Sequence, residues 1–418
     1  MTKPTNYAGA KEQYAQYGVD TDLALQQLAA ISISLHCWQG DDVTGFEPKS
    51  QELSGGLAVT GNYPGKPRNI DEFRKDIEKV FSLLAGRHRL NLHAIYGEFG
   101  SKLADRDAIE PAHFQGWMDW AKSQKVNLDF NATCFSHPLA GTGYTLSSTD
   151  DGIRRFWINH VDRCRIITEW MGKQQNSPSV HNLWIPDGSK DITVNRALHR
   201  QLLKESLDAI YENKLDHRFI RDSVESKLFG IGSESFVAGS HEFYLIYALS
   251  NNLMYCVDMG HFHPTESVAD KISSLLLFSQ GIMLHISRGI RWDSDHVVIF
   301  NDDLRDLALE IVRCNGLGKV YIGLDYFDAS INRVGAWVTG ATAVLKAFLY
   351  ALLEPVAILR EYEANGNNYA RLALLEEMKS LAFSAVWQHY CQQNNIPTGQ
   401  ALINEVLAYE RTVISKRG

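Results

Sequence analysis

The chain has 418 residues, 45% hydrophobic and 22% charged, with a formal net charge of −8. That composition supports a large packed core and excludes disorder, and the acidic balance argues against a nucleic-acid partner, which would need a basic patch to neutralise phosphates. Residues 1–18 are polar without an apolar signal region, no run of 18 apolar residues marks a membrane span, and the six cysteines (Cys37, Cys134, Cys164, Cys256, Cys314, Cys391) form no CxxC pair, so a cytoplasmic protein with reduced, mostly buried thiols is expected.

Eight short β-rich runs follow along the chain, at 31–36, 90–96, 126–132, 182–186, 220–224, 253–258, 282–286 and 320–325. Amphipathic stretches separate them, at 70–84, 111–123, 153–171, 194–210, 242–250, 268–276 and 302–313, each able to lay an apolar stripe on a sheet. Such alternation calls for parallel βαβ units, and eight strands favour an α/β fold of the closed (β/α)8 TIM-barrel type over an open doubly wound sheet. A dinucleotide-binding fold lacks its fingerprint, since Gly230-Ile231-Gly232 has no third glycine and follows the fifth strand. Beyond residue 330 the pattern turns to nearly continuous helix, at 336–359, 369–390 and 399–414. The expected division is a catalytic barrel with an N-terminal helix over 1–330 and a C-terminal helical extension over 331–418, packed on the barrel or on a neighbouring subunit. Segments 40–69 and 134–150, rich in Gly, Pro, Ser and Asp, read as long loops overhanging the C-terminal mouth.

Chemistry concentrates at the ends of the late strands. The fifth ends in Glu225-Ser226-Lys227 and the sixth in Asp258-Met259-Gly260-His261-Phe262-His263. The seventh carries His285, with Arg291-Trp292-Asp293-Ser294-Asp295-His296 beyond it, and the eighth ends in Asp325-Tyr326-Phe327-Asp328. Parallel strands deliver all four ends to one mouth, and residues two apart in extended chain share a face, which pairs Glu225 with Lys227 and Asp293 with Asp295. Crowded carboxylates repel one another unless cations compensate, and a mixed Asp, Glu and His shell is what Mn2+, Mg2+ or Co2+ prefers, whereas no thiolate cluster exists for structural zinc.

Each of these residues also has a plainer reading as a turn former or helix cap, with even odds on that ground alone. Asp328 reads as a cap, Asp302 and Asp303 as a helix start, His263 before Pro264 as a loop residue, and the glycosylation pattern Asn131-Ala132-Thr133 as chance. The coincidence across four successive strands is what resists that reading. No HExxH, P-loop or Gly-x-Ser-x-Gly elbow is present, so zincin, NTPase and α/β-hydrolase chemistry lack their signatures. The earlier strand ends, His36-Cys37-Trp38, His93-Ala94-Ile95-Tyr96, Phe135-Ser136-His137-Pro138 and Trp184-Ile185-Pro186-Asp187, suit an apolar wall with a few polar anchors for a small polyol, with core packing the alternative for Trp184.

The motifs His36-Cys37-Trp38-Gln39-Gly40-Asp41-Asp42-Val43, Thr60-Gly61-Asn62-Tyr63-Pro64-Gly65-Lys66, Val224-Glu225-Ser226-Lys227-Leu228-Phe229-Gly230-Ile231-Gly232, Gly260-His261-Phe262-His263-Pro264-Thr265-Glu266, Arg291-Trp292-Asp293-Ser294-Asp295-His296-Val297-Val298 and Gly323-Leu324-Asp325-Tyr326-Phe327-Asp328-Ala329-Ser330 closely resemble those of the bacterial L-rhamnose isomerase family, from about residue 20 to the end. The resemblance implies an aldose–ketose isomerase of sugar catabolism that converts L-rhamnose to L-rhamnulose, acting as a homotetramer with Mn2+; Co2+, Mg2+ or Zn2+ fit the same shell. Carried over by motif, Glu225, Asp258, His285 and Asp325 hold one metal, while His261, Asp293 and Asp295 hold a second with Asp258 as the bridge. The three-ligand site keeps positions open, as a catalytic metal requires.

These roles imply hydrogen transfer from C2 to C1 as hydride, with a cis-enediol route through a carboxylate base as the competing path. Lys227 is expected to donate to a substrate oxygen, Asp295 or Asp325 to help move the O1/O2 proton, and His93 to assist ring opening. Trp38, His93, Trp184 and Asp187 are the expected substrate wall, and the loop at 60–68 is a candidate cover for the mouth, its own or a neighbour's. Alternatives are another metal-dependent barrel isomerase or sugar epimerase, an endonuclease of the same fold, for which Lys227 and Arg291 offer little positive charge, and a sugar-binding barrel with a degenerate site.

Overall fold

A computed structural model describes residues 6–47, 57, 59, 61–100, 104–227, 234–290 and 294–417. Asp293, Arg291, Thr60 and the Gly230-Ile231-Gly232 motif lie outside the described residues.

Two helices, α1 (Tyr7–Ala15) and α2 (Thr21–Ala30), precede the first strand, β1 (Ile33–His36). The chain then alternates: α3 (Ile70–Phe81), β2 (Arg89–His93), α4 (Gln115–Gln124), β3 (Asn127–Asn131), α5 (Asp151–Gln175) and β4 (Ser179–Leu183). It continues through β5 (Gly188–Ser189), α6 (Arg196–Glu212), β6 (Ile220–Glu225), β7 (Phe236–Val237), α7 (His241–Asn251), β8 (Met254–Asp258), α8 (Ala269–Phe278), β9 (Ile282–Ile286), α9 (Asp302–Arg313), β10 (Val320–Leu324) and α10 (Arg333–Leu352). Eight strands close a barrel in the order β1-β10-β9-β8-β6-β4-β3-β2, with parallel register throughout, as in Asp258 beside His285 and Asn131 beside Asn182. The expected (β/α)8 barrel is therefore what forms.

Local sequence explains the elements. In α9, Asn301 caps the Leu304 amide, Asp302 and Asp303 occupy the first turn, Arg313 the last, and Leu304, Leu307, Ala308 and Ile311 form the buried stripe. The fourth strand starts three residues before its sequence-based position: Ser179 and His181, polar as they read, are buried and bonded to Leu128 O and Asp222, while Pro186 falls in the loop. The short antiparallel pair β5–β7 joins the loops after β4 and β6; two residues per strand leave no periodicity to read.

The helical region differs in two ways from the sequence expectation. α10 packs against α9, α2, α3 and β1 and so is the eighth barrel helix, with the remaining helices beyond it. It is long and apolar enough to pass for a membrane span, but most of it is buried inside the protein. The expected helix at 336–359 breaks before Pro355, where α11 (Val356–Ala364) begins, and the one at 369–390 splits into α12 (Asn368–Glu377) and α13 (Phe383–Gln393) around a tight turn that buries Met378 and Leu381. α14 (Gln400–Thr412) completes the region.

The loop expected to cover the mouth is tied to its own barrel over its described part. The Tyr63 amide donates to Ala329 O at 2.7 Å, Tyr63 OH to Glu410 at 2.5 Å, and Arg333 to Tyr63 O at 2.7 Å. Gly61, at φ +100°, lies so near Ala329 O that an added Cβ would stand 2.5 Å from it.

Candidate active site

The late barrel strands end in one cluster. Glu225 closes β6, Asp258 closes β8, His285 lies one residue from the end of β9, and Asp325 follows β10; one ligating atom from each lies within 4.8 Å of all the others. His285 Nδ1 is 3.1 Å from Glu225 Oε2, 3.2 Å from Asp325 Oδ2 and 3.7 Å from Asp258 Oδ2. Burial alone would push the His285 imidazole down, but Cys256, Glu225 and Asp325 around it drive it well above the ordinary histidine value. Burial likewise works to raise Asp325, and His285 and Trp38 more than reverse it, leaving the carboxyl low.

Each carboxylate is held by further bonds. Trp38 Nε1 donates to Asp325 Oδ1 at 2.8 Å, the Asn182 amide to Glu225 Oε2, and the Gly260 amide and Ser287 hydroxyl to Asp258 Oδ1 at 2.6 and 3.3 Å. Three buried or partly buried carboxylates focused on one imidazole nitrogen carry more negative charge than one proton neutralises, and the donor set of oxygens plus a single nitrogen fits a divalent cation. His261 stands beside this cluster, its Nδ1 3.7 Å from Glu225 Oε1. Asp295 enters from the loop after β9, in left-handed backbone at φ +44°; Phe327 N–H donates to its carbonyl at 3.3 Å and the Arg288–His296 bridge closes the loop. His261, Asp295, Glu225, His285 and Asp325 line one cavity of about 420 Å³.

The rest of that cavity is mostly aromatic and aliphatic. Trp38 packs edge-on to His93, which packs edge-on to Phe135, which meets Trp184, with ring centroids 4.8, 5.5 and 5.9 Å apart. Val43, Leu57 and Phe327 add an aliphatic and aromatic face. His93 bonds Thr133 Oγ1 through Nδ1 at 3.0 Å, and burial pulls its imidazole down to about 3 against the opposing influence of Asp325, so it is neutral at physiological pH.

Two expected wall or donor residues stand elsewhere. Asp187 is fully buried outside the cavity lining, with Oδ1 accepting from Thr145 and Oδ2 from the Ser147 amide and hydroxyl at 2.8 and 2.6 Å; it ties the loop after β3 to the loop after β4. Lys227 also lies outside the lining, behind Trp184, with Nζ 6.0 Å from that ring's centroid, donating to Pro186 O at 2.9 Å and paired with Glu234. Burial lowers its ammonium and Glu234 opposes that shift. Strand-end alternation aims Lys227 inward, but Pro186 O and Glu234 hold its ammonium outside the lining.

Residues that the sequence reading did not single out as substrate contacts also line the cavity: Val43, Leu57, Phe327, Asn131 and Asn182. Asn131 is the last residue of β3, and a polar residue at a barrel-strand end is the available signal for it. Asp302 and Asp303 open α9 as expected, whereas Asp328 is not the cap of the following helix: Asn332 accepts from the Gly335 amide there, and Asp328 accepts from the Ser330 amide in the preceding turn.

Fold and cavity together define a barrel enzyme whose chemistry sits at the C-terminal mouth, around an acid–imidazole cluster that fits a divalent cation. The family model for L-rhamnose isomerase matches residues 1–417. L-rhamnose isomerase of Bacteroides thetaiotaomicron is 56% identical over 411 residues, covering 98% of both chains. That of Rhodopirellula baltica is 54% identical, covering 98% of this chain and 95% of its own, and that of Klebsiella pneumoniae is 53% identical, covering 98% and 97%. Among solved structures, D-psicose 3-epimerase of Clostridium cellulolyticum H10 covers 77% of this chain and 97% of its own at 9% identity and a TM-score of 0.46. The chain belongs to the L-rhamnose isomerase family of aldose–ketose isomerases.

Proposed function

We propose that this enzyme interconverts L-rhamnose and L-rhamnulose by moving hydrogen between C2 and C1 as hydride, while the O2 proton passes to O1. The observation that carries the reading is the shared cavity: the acid–imidazole cluster faces the same space as Val43, Leu57 and Phe327, so one end suits vicinal oxygens and the other a deoxysugar methyl group. Glu225, Asp258, His285 and Asp325 would hold one cation, and His261, Asp293 and Asp295 a second, with Asp258 between them. Bound divalent cations, Mn2+ foremost, would supply Lewis-acid polarisation of O1 and O2.

The chain's own groups do the rest. Trp38, His93 and Trp184 enclose the sugar and exclude water, which protects a hydride shift from solvent exchange. Neutral His93 presents a nitrogen for the ring oxygen or its hydroxyl during opening. Asp295 and Asp325 border the cavity where the O1/O2 proton must move. Lys227 places its charge behind Trp184, one of its three N–H groups directed at Pro186 O and another at Glu234, and reaches a sugar oxygen only with its third. Asp187 acts by fixing the loop that carries Trp184. The enzyme works as a cytoplasmic homotetramer on a small sugar, with neither nucleic acid nor membrane as partner.

A ketose assay across an aldose panel, with and without EDTA, tests the assignment. L-rhamnose is expected to give the highest kcat/KM, with activity lost on chelation and restored by Mn2+; preference for another aldose would overturn the substrate. In D2O, substantial deuterium at C1 of the product would rule out the hydride route.

A further inference from the structure

Two carboxamides in the cavity stand outside the cluster's candidate ligand set. Asn131 ends β3 and Asn182 lies in β4, and they are register neighbours across that strand pair. Both line the cavity, at 3% and 2% exposure, and in each the side-chain Oδ1 is buried without a hydrogen-bond partner. For Asn182 the orientation is chemically fixed. Its Nδ2 faces Glu225 Oε2, and a carboxylate only accepts, so the NH2 must point there and the oxygen must point away. Buried carbonyl oxygens in a folded protein are nearly always paired, and one left bare carries its full desolvation cost.

We infer that Asn131 and Asn182 are hydroxyl readers: their Oδ1 atoms accept hydrogen bonds from two hydroxyls on the part of the sugar chain that does not react. Resting on the isomerase reading, this assigns part of the enzyme's stereochemical choice to β3 and β4, where the two bare Oδ1 acceptors call for O–H donors from the ligand. A methyl or methylene at the same position leaves both oxygens bare, and a site built to bond a hydroxyl rejects the analogue lacking it.

The test uses the metal-loaded full-length protein and calorimetric binding of L-rhamnitol, which cannot isomerise, together with its monodeoxy derivatives. In the unaltered enzyme, removing the hydroxyl read by Asn131 weakens binding by roughly tenfold, as expected for one hydrogen bond in a dry site. Asn131→Ala weakens the parent alditol by about the same factor and is then indifferent to that one deletion. Asn182→Ala behaves likewise for a second hydroxyl. Asn131→Ser and Asn182→Ser serve if an alanine variant fails to melt cooperatively. Deletion penalties that persist unchanged in the variants overturn the inference. If Asn182 serves only to hold Glu225, Asn182→Ala lowers Mn2+ affinity in a spin-resonance titration and leaves every deletion penalty intact, which also overturns its assignment. An unaltered enzyme that binds none of the alditols refutes the isomerase reading instead.

Discussion

The indole of Trp38, just past the first barrel strand, donates to Oδ1 of Asp325, just past the last, at 2.8 Å. The bond spans the seam where the barrel closes and fixes one oxygen of a cluster carboxylate, leaving Oδ2 toward His285. Trp38→Phe keeps the ring wall but releases Asp325. Metal affinity is expected to fall about tenfold or more, as when other outer-shell partners are removed, with kcat at saturating Mn2+ changed much less; a direct metal titration beside steady-state kinetics reads both, and unchanged affinity would show the bond to be idle.

Glu225→Gln replaces an acceptor-only group with one that donates. The new NH2 must face either His285 Nδ1 or the Asn182 amide, both already within bonding range of Glu225. Bound metal, measured by elemental analysis after gel filtration, is expected to drop below half a cation per chain, and activity by about 100-fold or more.

Val43 lines the cavity with φ at +59°, a conformation that costs a β-branched residue about 1–2 kcal/mol. Val43→Asn relieves that cost and raises the melting temperature by a few degrees, yet puts an amide where an apolar wall stands. The expected outcome is a more stable enzyme whose preference for L-rhamnose over the corresponding non-deoxy aldose falls about tenfold. A variant that is both less stable and equally selective would contradict both halves.

Arg165 forks onto Asp222 with Nε and a terminal nitrogen at 3.0 and 2.9 Å, while His181 reaches the same carboxylate at 3.1 Å. Burial works to raise Asp222, but His181 and Arg165 bring it down to about 2. Arg165→Ala strands that charge in the shell between α5 and β6, and denaturant unfolding should show a loss of about 3–5 kcal/mol. Arg165→Met with Asp222→Leu should lose much less; equal losses would point to packing rather than charge.

His88 accepts the Ile33 amide at 3.4 Å through Nδ1, and His160 accepts the Thr133 amide at 3.0 Å through Nε2, so each must stay neutral. Burial brings their imidazoles down to about 4 and about 3, against the raising effect of bonds to Ala85 O and Arg106 O. Because the folded values lie below 6.5, the unfolded chain takes up protons first, and stability is lost as pH falls from about 6.5 toward those values. Each histidine costs about 2 kcal/mol by pH 5. Thermal melts at pH 7 and 5 should differ strongly, and His88→Gln should melt lower at pH 7 with a shallower fall; an unchanged slope would exclude His88.

The barrel was legible because its strands are short apolar runs at regular spacing, and 282–286 reads the same in sequence and in space. The cluster was legible too, since Glu225, Asp258, His285 and Asp325 each sit at the end of such a run. Of the other half of the cavity, Trp38, His93, Phe135 and Trp184 were legible as strand-end aromatics, and the carboxamides were not. Asn131 and Asn182 are polar residues inside strands, where side-chain type alone does not distinguish a cavity wall from a bonded core position. The surroundings of Lys227 and Asp187 were hidden for the complementary reason: residue type fits a sugar site, but their partners Glu234, Thr145 and Ser147 come from loops whose course no periodicity encodes. The split of α11 from α10 rests on Pro355, visible in sequence yet outweighed by apolar residues on either side.

The buried position of Asn131 bears on where this gene can be expressed. Asn131-Ala132-Thr133 is an acceptor sequence for N-linked glycans, silent in the folded protein because the amide lies inside the barrel mouth. A chain threaded through a glycosylating secretory pathway presents that tripeptide before β3 is enclosed by its neighbours. A sugar tree attached then would occupy the very space the substrate needs, and Thr133→Val would cost His93 its hydroxyl partner, so expression in a yeast or animal host calls for an intracellular route.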